Sequence, residues 1–270
     1  MTRELRLTLP ATAENVIVVR QAVAGLGEAL GLSSSRIADL KTVVSEACNN
    51  VVLHAYEGEP GPLEVTAEPR SGELDVHVAD EGRGFRPRAH QGDESLGLGL
   101  PLIAALSDGF EISGGAGRGS RTTIRFSYEA PQFSNNGDGT HAEAPEELEM
   151  AITPGEMVKP VLARVIGALA ARAEFSVDRL ADTVLLGDAV SSSAGDEFAH
   201  GRVGISIRDG DGTLDVRVGP LVEGAGEKLL EEMELPGAGS LRSLASRMEV
   251  TRDRTAEGEE AEFLVFEVKS

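Results

Sequence analysis

The chain has 270 residues, a mass of 28.3 kDa and a formal net charge of −20, which suggests one large domain or two of roughly 130 residues each. Hydrophobic residues are 41% and charged residues 26%, as in soluble globular proteins, while an isoelectric point near 4.6 argues against a nucleic-acid binder, which needs a basic face. A single cysteine, Cys48, excludes an intramolecular disulfide and a cysteine-cluster metal site.

Residues 3–9 alternate as a strand and stop at Pro10. Thr12 is placed to cap a helix running to about Leu30, and Ser33, Ser34 or Ser35 to cap a second over about 35–55. Ile37, Leu40, Val44, Ala47 and Val51 in that second helix have the 3, 4, 3, 4 spacing of one buried face. Leu63–Ala67 and Leu74–Ala79 read as a hairpin about Arg70-Ser71-Gly72. A glycine-rich polar loop covers about 80–95, then a short helix about 97–107 and two strands, 109–114 and 121–128. No run is long and apolar enough for a signal peptide or a membrane span, so the default expectation is a cytoplasmic protein with no membrane partner.

Residues 129–147 are rich in Pro, Asn, Gly and acids, the composition of a linker. Beyond it the pattern repeats. Gly72-Glu-Leu-Asp-Val-His-Val78 returns as Gly212-Thr-Leu-Asp-Val-Arg-Val218, at an offset of 140. At the same offset Gly97 and Gly99 become Gly237 and Gly239, and Ile124-Arg-Phe126 becomes Leu264-Val-Phe266. Arg36-Ile-Ala-Asp39 returns as Arg179-Leu-Ala-Asp182, and Pro10 as Pro154. The first 128 residues hold 17 acidic and 12 basic side chains, the rest 28 and 13, so the second half is the acidic one.

Three clusters in the first half carry chemistry. Glu46 and Asn50 are four residues apart on the second helix, on one face. Asp80-Glu-Gly-Arg-Gly84 comes directly after a strand, and Gly97-Leu-Gly-Leu100 opens a helix. An amide oxygen such as that of Asn50 suits Mg²⁺, which keeps several waters and takes few protein ligands. A carboxylate one turn away can accept a hydroxyl proton. An Asp at a strand end can accept a hydrogen bond from an exocyclic amine. Glycines let backbone pass close to a flat ring, and a helix start offers N–H groups to phosphate. Each feature alone has an ordinary reading: a solvated Glu, a surface amide, a plain turn. His54 reads as a packed or hydrogen-bonded histidine, and Cys48 as core filler.

In combination and order, these segments resemble the anti-sigma-factor serine kinases of the GHKL (histidine-kinase-like) ATPase superfamily. Glu46-Ala-Cys-Asn-Asn-Val-Val-Leu-His-Ala-Tyr56 is similar to that family's N box, and Asp80-Glu-Gly-Arg-Gly-Phe85 with Pro87 to its first glycine box. Gly97-Leu-Gly-Leu-Pro-Leu-Ile103 with Leu106 and Asp108 is similar to its second, and Arg121-Thr-Thr-Ile-Arg-Phe126 to its closing threonine strand. The resemblance covers residues 3–128. It implies Glu46 as general base for a protein serine, Asn50 as Mg²⁺ ligand and Asp80 as reader of the adenine amine. Gly82 and Gly84 would shape the adenine pocket, Gly97 and Gly99 the phosphate lid, and Thr122 or Thr123 would support the adenine end. The implied ligands are ATP and Mg²⁺. The implied partners are a STAS-type anti-anti-sigma factor as substrate and a sigma factor held as a protein. Leu53, Arg86 and Arg121 depart from the family pattern without removing a phosphate or metal contact.

The fold implied is an α/β (α+β) sandwich, two tandem Bergerat-type ATPase domains, each a mixed, mostly antiparallel sheet with helices on one face. The domains are residues 1–128, an ATP-binding serine-kinase-like domain, and 148–270, a degenerate second copy. In that copy Asp188-Ala-Val-Ser-Ser192 stands for Glu46–Asn50, Pro220 for Asp80, and Glu262 with Phe263 for the threonine pair, while Pro236 and Ser240 alter the lid. Family members of this type are usually homodimers, so the second copy is expected as a built-in partner in a pseudo-dimer, unless the chain forms a homodimer. A linker of this length spans roughly 25 Å. The function expected is an ATP-dependent serine/threonine protein kinase acting as an anti-sigma factor. The alternative is an ATP-gated sequestering or scaffold protein without kinase activity.

Overall fold

Leu5, Leu7 and Leu9 are buried and Arg6 and Thr8 between them are not, so strand β1 (Leu5–Pro10) presents one apolar face. The structure is a computed structural model and describes residues 3–84, 99–115, 117–128, 148–176, 179, 185, 187, 189–190, 197–210, 212–234, 244–255 and 258–270. The chain divides into two units, Met1–Glu146 and Glu147–Ser270. The expected linker, residues 129–147, lies outside the described residues.

In the N-terminal unit the predicted caps form. Thr12 Oγ1 accepts from Asn15 N (3.4 Å) at the start of α1 (Ala13–Ala29), and Ser33 Oγ from Arg36 N (3.3 Å) at the start of α2 (Ser34–His54). Then come β2 (Pro62–Arg70), β3 (Glu73–Asp80), α3 (Gly99–Leu106), β4 (Gly109–Gly114) and β5 (Ser120–Ser127). The strands lie in the order β4-β5-β3-β2-β1, and every neighbouring pair is antiparallel. Alternation sorts the two faces. Leu7, Val65, Val78, Thr122 and Ile112 form a row across one face. There α2 packs on β3 and β5, and α1 on α2. Arg6, Thr66, His77, Thr123 and Glu111 form the neighbouring row on the other face. The helices thus cover the apolar face, and the polar face carries ion pairs such as Arg70–Glu68.

The C-terminal unit has β6 (Leu148–Ile152), α4 (Val158–Arg172), helical residues among 179–190, β7 (Val203–Gly210), β8 (Thr213–Leu221), α5 (Ala225–Glu234), β9 (Arg247–Arg254) and β10 (Glu260–Lys269). Its strands lie in the order β6-β7-β8-β10-β9, again all antiparallel. That is the succession β1-β2-β3-β5-β4 of the first unit.

Register corrects the alignment of the two halves. Tyr128 N donates to Gly72 O, and Ser270 N donates to Gly212 O. Val76 pairs with Ile124, and Val216 with Phe266. The hairpin therefore matches at an offset of 140, but the last strand at 142. Ile124-Arg-Phe126 corresponds to Phe266-Glu-Val268, not to Leu264-Val-Phe266. At the other end Leu9 pairs with Leu63 and Ile152 with Val203, so Pro10 corresponds to Thr153 rather than Pro154. In β8 two residues lie between Val218 and Leu221 where β10 has one between Leu264 and Glu262, a bulge with one extra residue. Asp80 pairs with Ser120. Leu221, not Pro220, is the residue opposite Glu262, and Glu262 takes the place of Ser120 rather than of a threonine.

Among the described residues no helix is long and apolar enough to cross a membrane.

Candidate active site

Helix α2 buries Leu40, Val43, Val44, Ala47, Cys48 and Val51, and leaves Ile37 half-buried. Its opposite stripe carries Glu46, Asn50 and Leu53, one face by the i, i+4, i+7 rule. Glu46 and Asn50 are half-buried, and Leu53 is 65% exposed. The first residue of α3 lies against them. A Cβ on Gly99 would stand 3.1 Å from Glu46 Oε2 and 3.7 Å from both amide atoms of Asn50. The missing side chain leaves room there for a ligand beside the carboxylate and the amide. Gly97, with Phe85, Arg86 and Pro87, lies outside the described residues.

Asp80 ends β3 and is 9% exposed. Its Oδ1 accepts from Gly82 N (2.8 Å) and its Oδ2 from Ser120 Oγ (2.5 Å). A carboxylate offers about four lone-pair sites, so acceptor capacity remains for a ligand amine. Gly82 packs on the carbonyl of Ala55, the C-cap of α2, where a Cβ would overlap it. Gly84 has φ +75°, and its Cβ would overlap Gly115 O. The loop is held further by Arg83 N to Ala55 O (3.0 Å), Gly119 N to Gly82 O (3.0 Å) and Gly117 N to Arg83 O (2.8 Å). Tyr56 Oη accepts from Glu81 N (2.9 Å) and donates to Pro62 O (2.5 Å). Burial pushes its phenol up to about 12, so it stays a neutral donor. Ala55 lies five residues beyond Asn50, about 7.5 Å along the helix axis. One end of α2 therefore carries both the Glu46–Asn50 pair and the footing of the Asp80 loop.

Several sequence assignments change. Thr122 lies on the helix-covered face with Asp80, but it is Ser120 that reaches the carboxylate. Thr123 points to the opposite face, where its Oγ1 bonds His77 Nδ1 (3.0 Å), so the structure does not bring it to the site. Period-2 alternation carries both facts, since 120 and 122 share a face and 123 does not. His54 is exposed, not packed; its backbone carbonyl accepts from Arg83 Nε (2.6 Å). Cys48 is buried as core, with its thiol pushed up to about 12 by burial. Among the described residues no three His, Cys, Asp or Glu side chains converge on a metal position. A cleft of about 550 Å³ is lined by Asp80 and Ser120 together with Thr8, Glu64, Ala79 and Arg121. The last four side chains belong to the polar face of the sheet, so this cleft is not the space beside Glu46.

In the C-terminal unit the equivalent positions carry other side chains. Leu221 is buried where Asp80 stands in the other unit. Glu262, 4% exposed, accepts through Oε2 from Gly224 N (3.0 Å) and Gly226 N (3.1 Å), and through Oε1 from Arg252 Nη2 (3.2 Å). Asp188, Ser192, Pro236, Gly237, Gly239 and Ser240 lie outside the described residues.

Five antiparallel strands under a helix pair, with an acid–amide stripe facing a glycine at a helix start and an Asp-x-Gly-x-Gly floor, define a histidine kinase-like ATPase fold. The Histidine kinase-like ATPase domain family matches residues 9–128. Serine-protein kinase RsbW of Bacillus anthracis is 30% identical over 151 residues, spanning 50% of this chain and 91% of that protein. The same enzyme of Bacillus thuringiensis (strain Al Hakam) and of Bacillus cereus (strain Q1) matches to the same extent. The chain belongs to the anti-sigma-factor serine-protein kinase family.

Proposed function

We propose that the N-terminal unit is an ATP-dependent serine/threonine protein kinase that acts as an anti-sigma factor. It phosphorylates a STAS-type anti-anti-sigma protein and binds a sigma factor through protein contacts. The observation that carries this reading is the approach of Gly99 to the Glu46 carboxylate and the Asn50 amide at the start of α3. Asp80 accepts the hydrogen bond of the adenine amine, and Ser120 fixes the orientation of its carboxylate. The α3 N-terminus with Gly99, and Gly97 before it, receives the phosphates. Asn50 would supply a ligand oxygen for Mg²⁺, whose charge would offset that of the phosphates when bound. Glu46 takes the proton of the substrate serine hydroxyl as its oxygen bonds to the γ-phosphorus and the bond to the bridging oxygen of ADP breaks.

The second unit is proposed as a degenerate copy that retains the strand order without the nucleotide. Leu221 offers no acceptor, and the Glu262 carboxylate is already engaged by two backbone N–H groups and Arg252.

The test is the Glu46→Gln chain with ATP, Mg²⁺ and a STAS-domain protein. Loss of phosphoryl transfer with retained ATP binding supports the kinase. Partner capture that depends on ATP and is the same in both proteins, with no transfer in either, supports the sequestering alternative.

A further inference from the structure

Helix α3 runs antiparallel to α2, with Gly99 beside Glu46 and Asn50 and its other end near the start of α2. Arg36 and Glu46 are ten residues apart on α2, about 15 Å along its axis, close to the length of α3. Just beyond α3, Asp108 Oδ2 accepts from Arg36 Nη2 (2.5 Å) and from Ser127 N (2.6 Å), and Asp108 N donates to Arg125 O (2.9 Å). The Arg36 guanidinium also lies 4.8 Å from the centroid of the Phe126 ring. Between these ends Ile103 is fully buried. An isolated exposed ion pair contributes little, but this one joins α2, the end of α3 and β5 at one carboxylate oxygen.

The C-terminal unit supplies a control. Ser246 N donates to Glu267 O as Asp108 N does to Arg125 O, so Ser246 stands in the place of Asp108. The arginine is retained there as Arg179, which donates through Nε to Lys269 O (2.8 Å) and through Nη1 to Leu244 O (3.2 Å). Two backbone carbonyls accept from it there, and a serine stands where the N-terminal unit has Asp108. The carboxylate occurs in the unit that also holds Glu46, Asn50 and Asp80.

We propose that Arg36 and Asp108 form a latch that fixes the far end of α3 and so holds Gly99 against Glu46 and Asn50, making both positioning residues for the nucleotide. This rests on the kinase reading only for its consequence in catalysis. The experiment uses the full chain with Asp108→Asn, Arg36→Met, Arg36→Lys and the exchanged pair R36D/D108R. Hydrogen exchange of the Gly99–Leu106 amides without ligand, ATP affinity by calorimetry, and KM against kcat are read beside the melting temperature. In Asp108→Asn and Arg36→Met the α3 amides exchange faster, and Kd and KM for ATP rise about three- to tenfold with kcat little changed. Arg36→Lys and the exchanged pair recover part of the loss. High salt brings the α3 exchange of the ligand-free wild type toward that of Asp108→Asn, with a smaller change in the variant. Unchanged α3 exchange in Asp108→Asn overturns the latch whether or not the protein is a kinase. A lowered melting temperature with unaltered ATP affinity and KM overturns it in favour of a purely structural pair. A wild type that binds no ATP sinks the kinase reading instead, and leaves exchange to decide the latch.

Discussion

In the N-terminal unit a carboxylate ends the third strand; in the C-terminal unit the carboxylate sits on the neighbouring last strand. Asp80 accepts one backbone N–H and one hydroxyl and keeps capacity for another donor. Glu262 accepts two backbone N–H groups at the start of α5 and a guanidinium N–H from Arg252. Both arrangements satisfy a buried charge, as they must. The first carboxylate holds one backbone donor and one hydroxyl, the second three donors from its own unit. One strand order can thus carry its buried acid on either of two neighbouring strands, and under the proposed function only the first placement serves a nucleotide.

The largest test of that contrast is Asp80→Ala. ATP affinity falls more than about 100-fold, since a hydrogen bond to a charged group and the orientation of Gly82 and Ser120 are lost together. Calorimetry on the wild type gives one site per chain; two sites would erase the contrast.

Next is Glu262→Ala, which leaves the Gly224 and Gly226 N–H groups without their acceptor. Denaturant unfolding shows a loss of about 2–4 kcal/mol with ATP affinity unchanged. The same carboxylate gives a pH signature. Burial alone would raise its pKa, but the Gly224 and Gly226 N–H groups and Arg252 outweigh that and hold it below the ordinary carboxylate value. A depressed pKa means stabilisation that is complete above the ordinary carboxylate range and lost as pH falls through the lowered value. The stability difference between wild type and Glu262→Gln therefore holds at neutral pH and shrinks in acid.

Smaller effects sharpen the floor itself. Ser120→Ala weakens ATP binding about tenfold, the worth of one hydrogen bond to a charged group. Thr122→Val costs less than about threefold, being a conservative change one pleat away. Thr123→Val leaves ATP affinity unaltered, because its hydroxyl bonds His77 on the far face; a loss equal to that of Ser120→Ala would reverse the assignment.

Local features are legible in the sequence because they depend on nearest neighbours. Thr12 and Ser33 cap where their hydroxyls suggest, and Leu5, Leu7 and Leu9 alternate inward. Glu46 and Asn50 share a face by helical spacing alone. Long-range register is not legible. The extra residue between Val218 and Leu221 has no compositional mark, so a match by spacing slips by one at Asp80, and connections of unequal length further along slip β5 against β10 by two. Ser120 hides beside a more conspicuous pair of threonines, although alternation separates Thr122 from Thr123. Gly82 and Gly84 suggest clearance for a ring. They are at least as much clearance for the chain itself, since Ala55 and Gly115 occupy the space their side chains would need.

That threading of the loop between the end of α2 and the β4–β5 turn has a thermodynamic corollary. The floor around Asp80 is built by backbone bonds that exist without any ligand, so its ordering entropy is spent during folding and not at association. Under the proposed function adenosine alone, which would reach the floor but carries no phosphates, is expected to bind with little conformational penalty. Any ordering cost in ATP binding falls on the phosphate end, and comparing the entropies of the two ligands by calorimetry separates the two ends of the pocket.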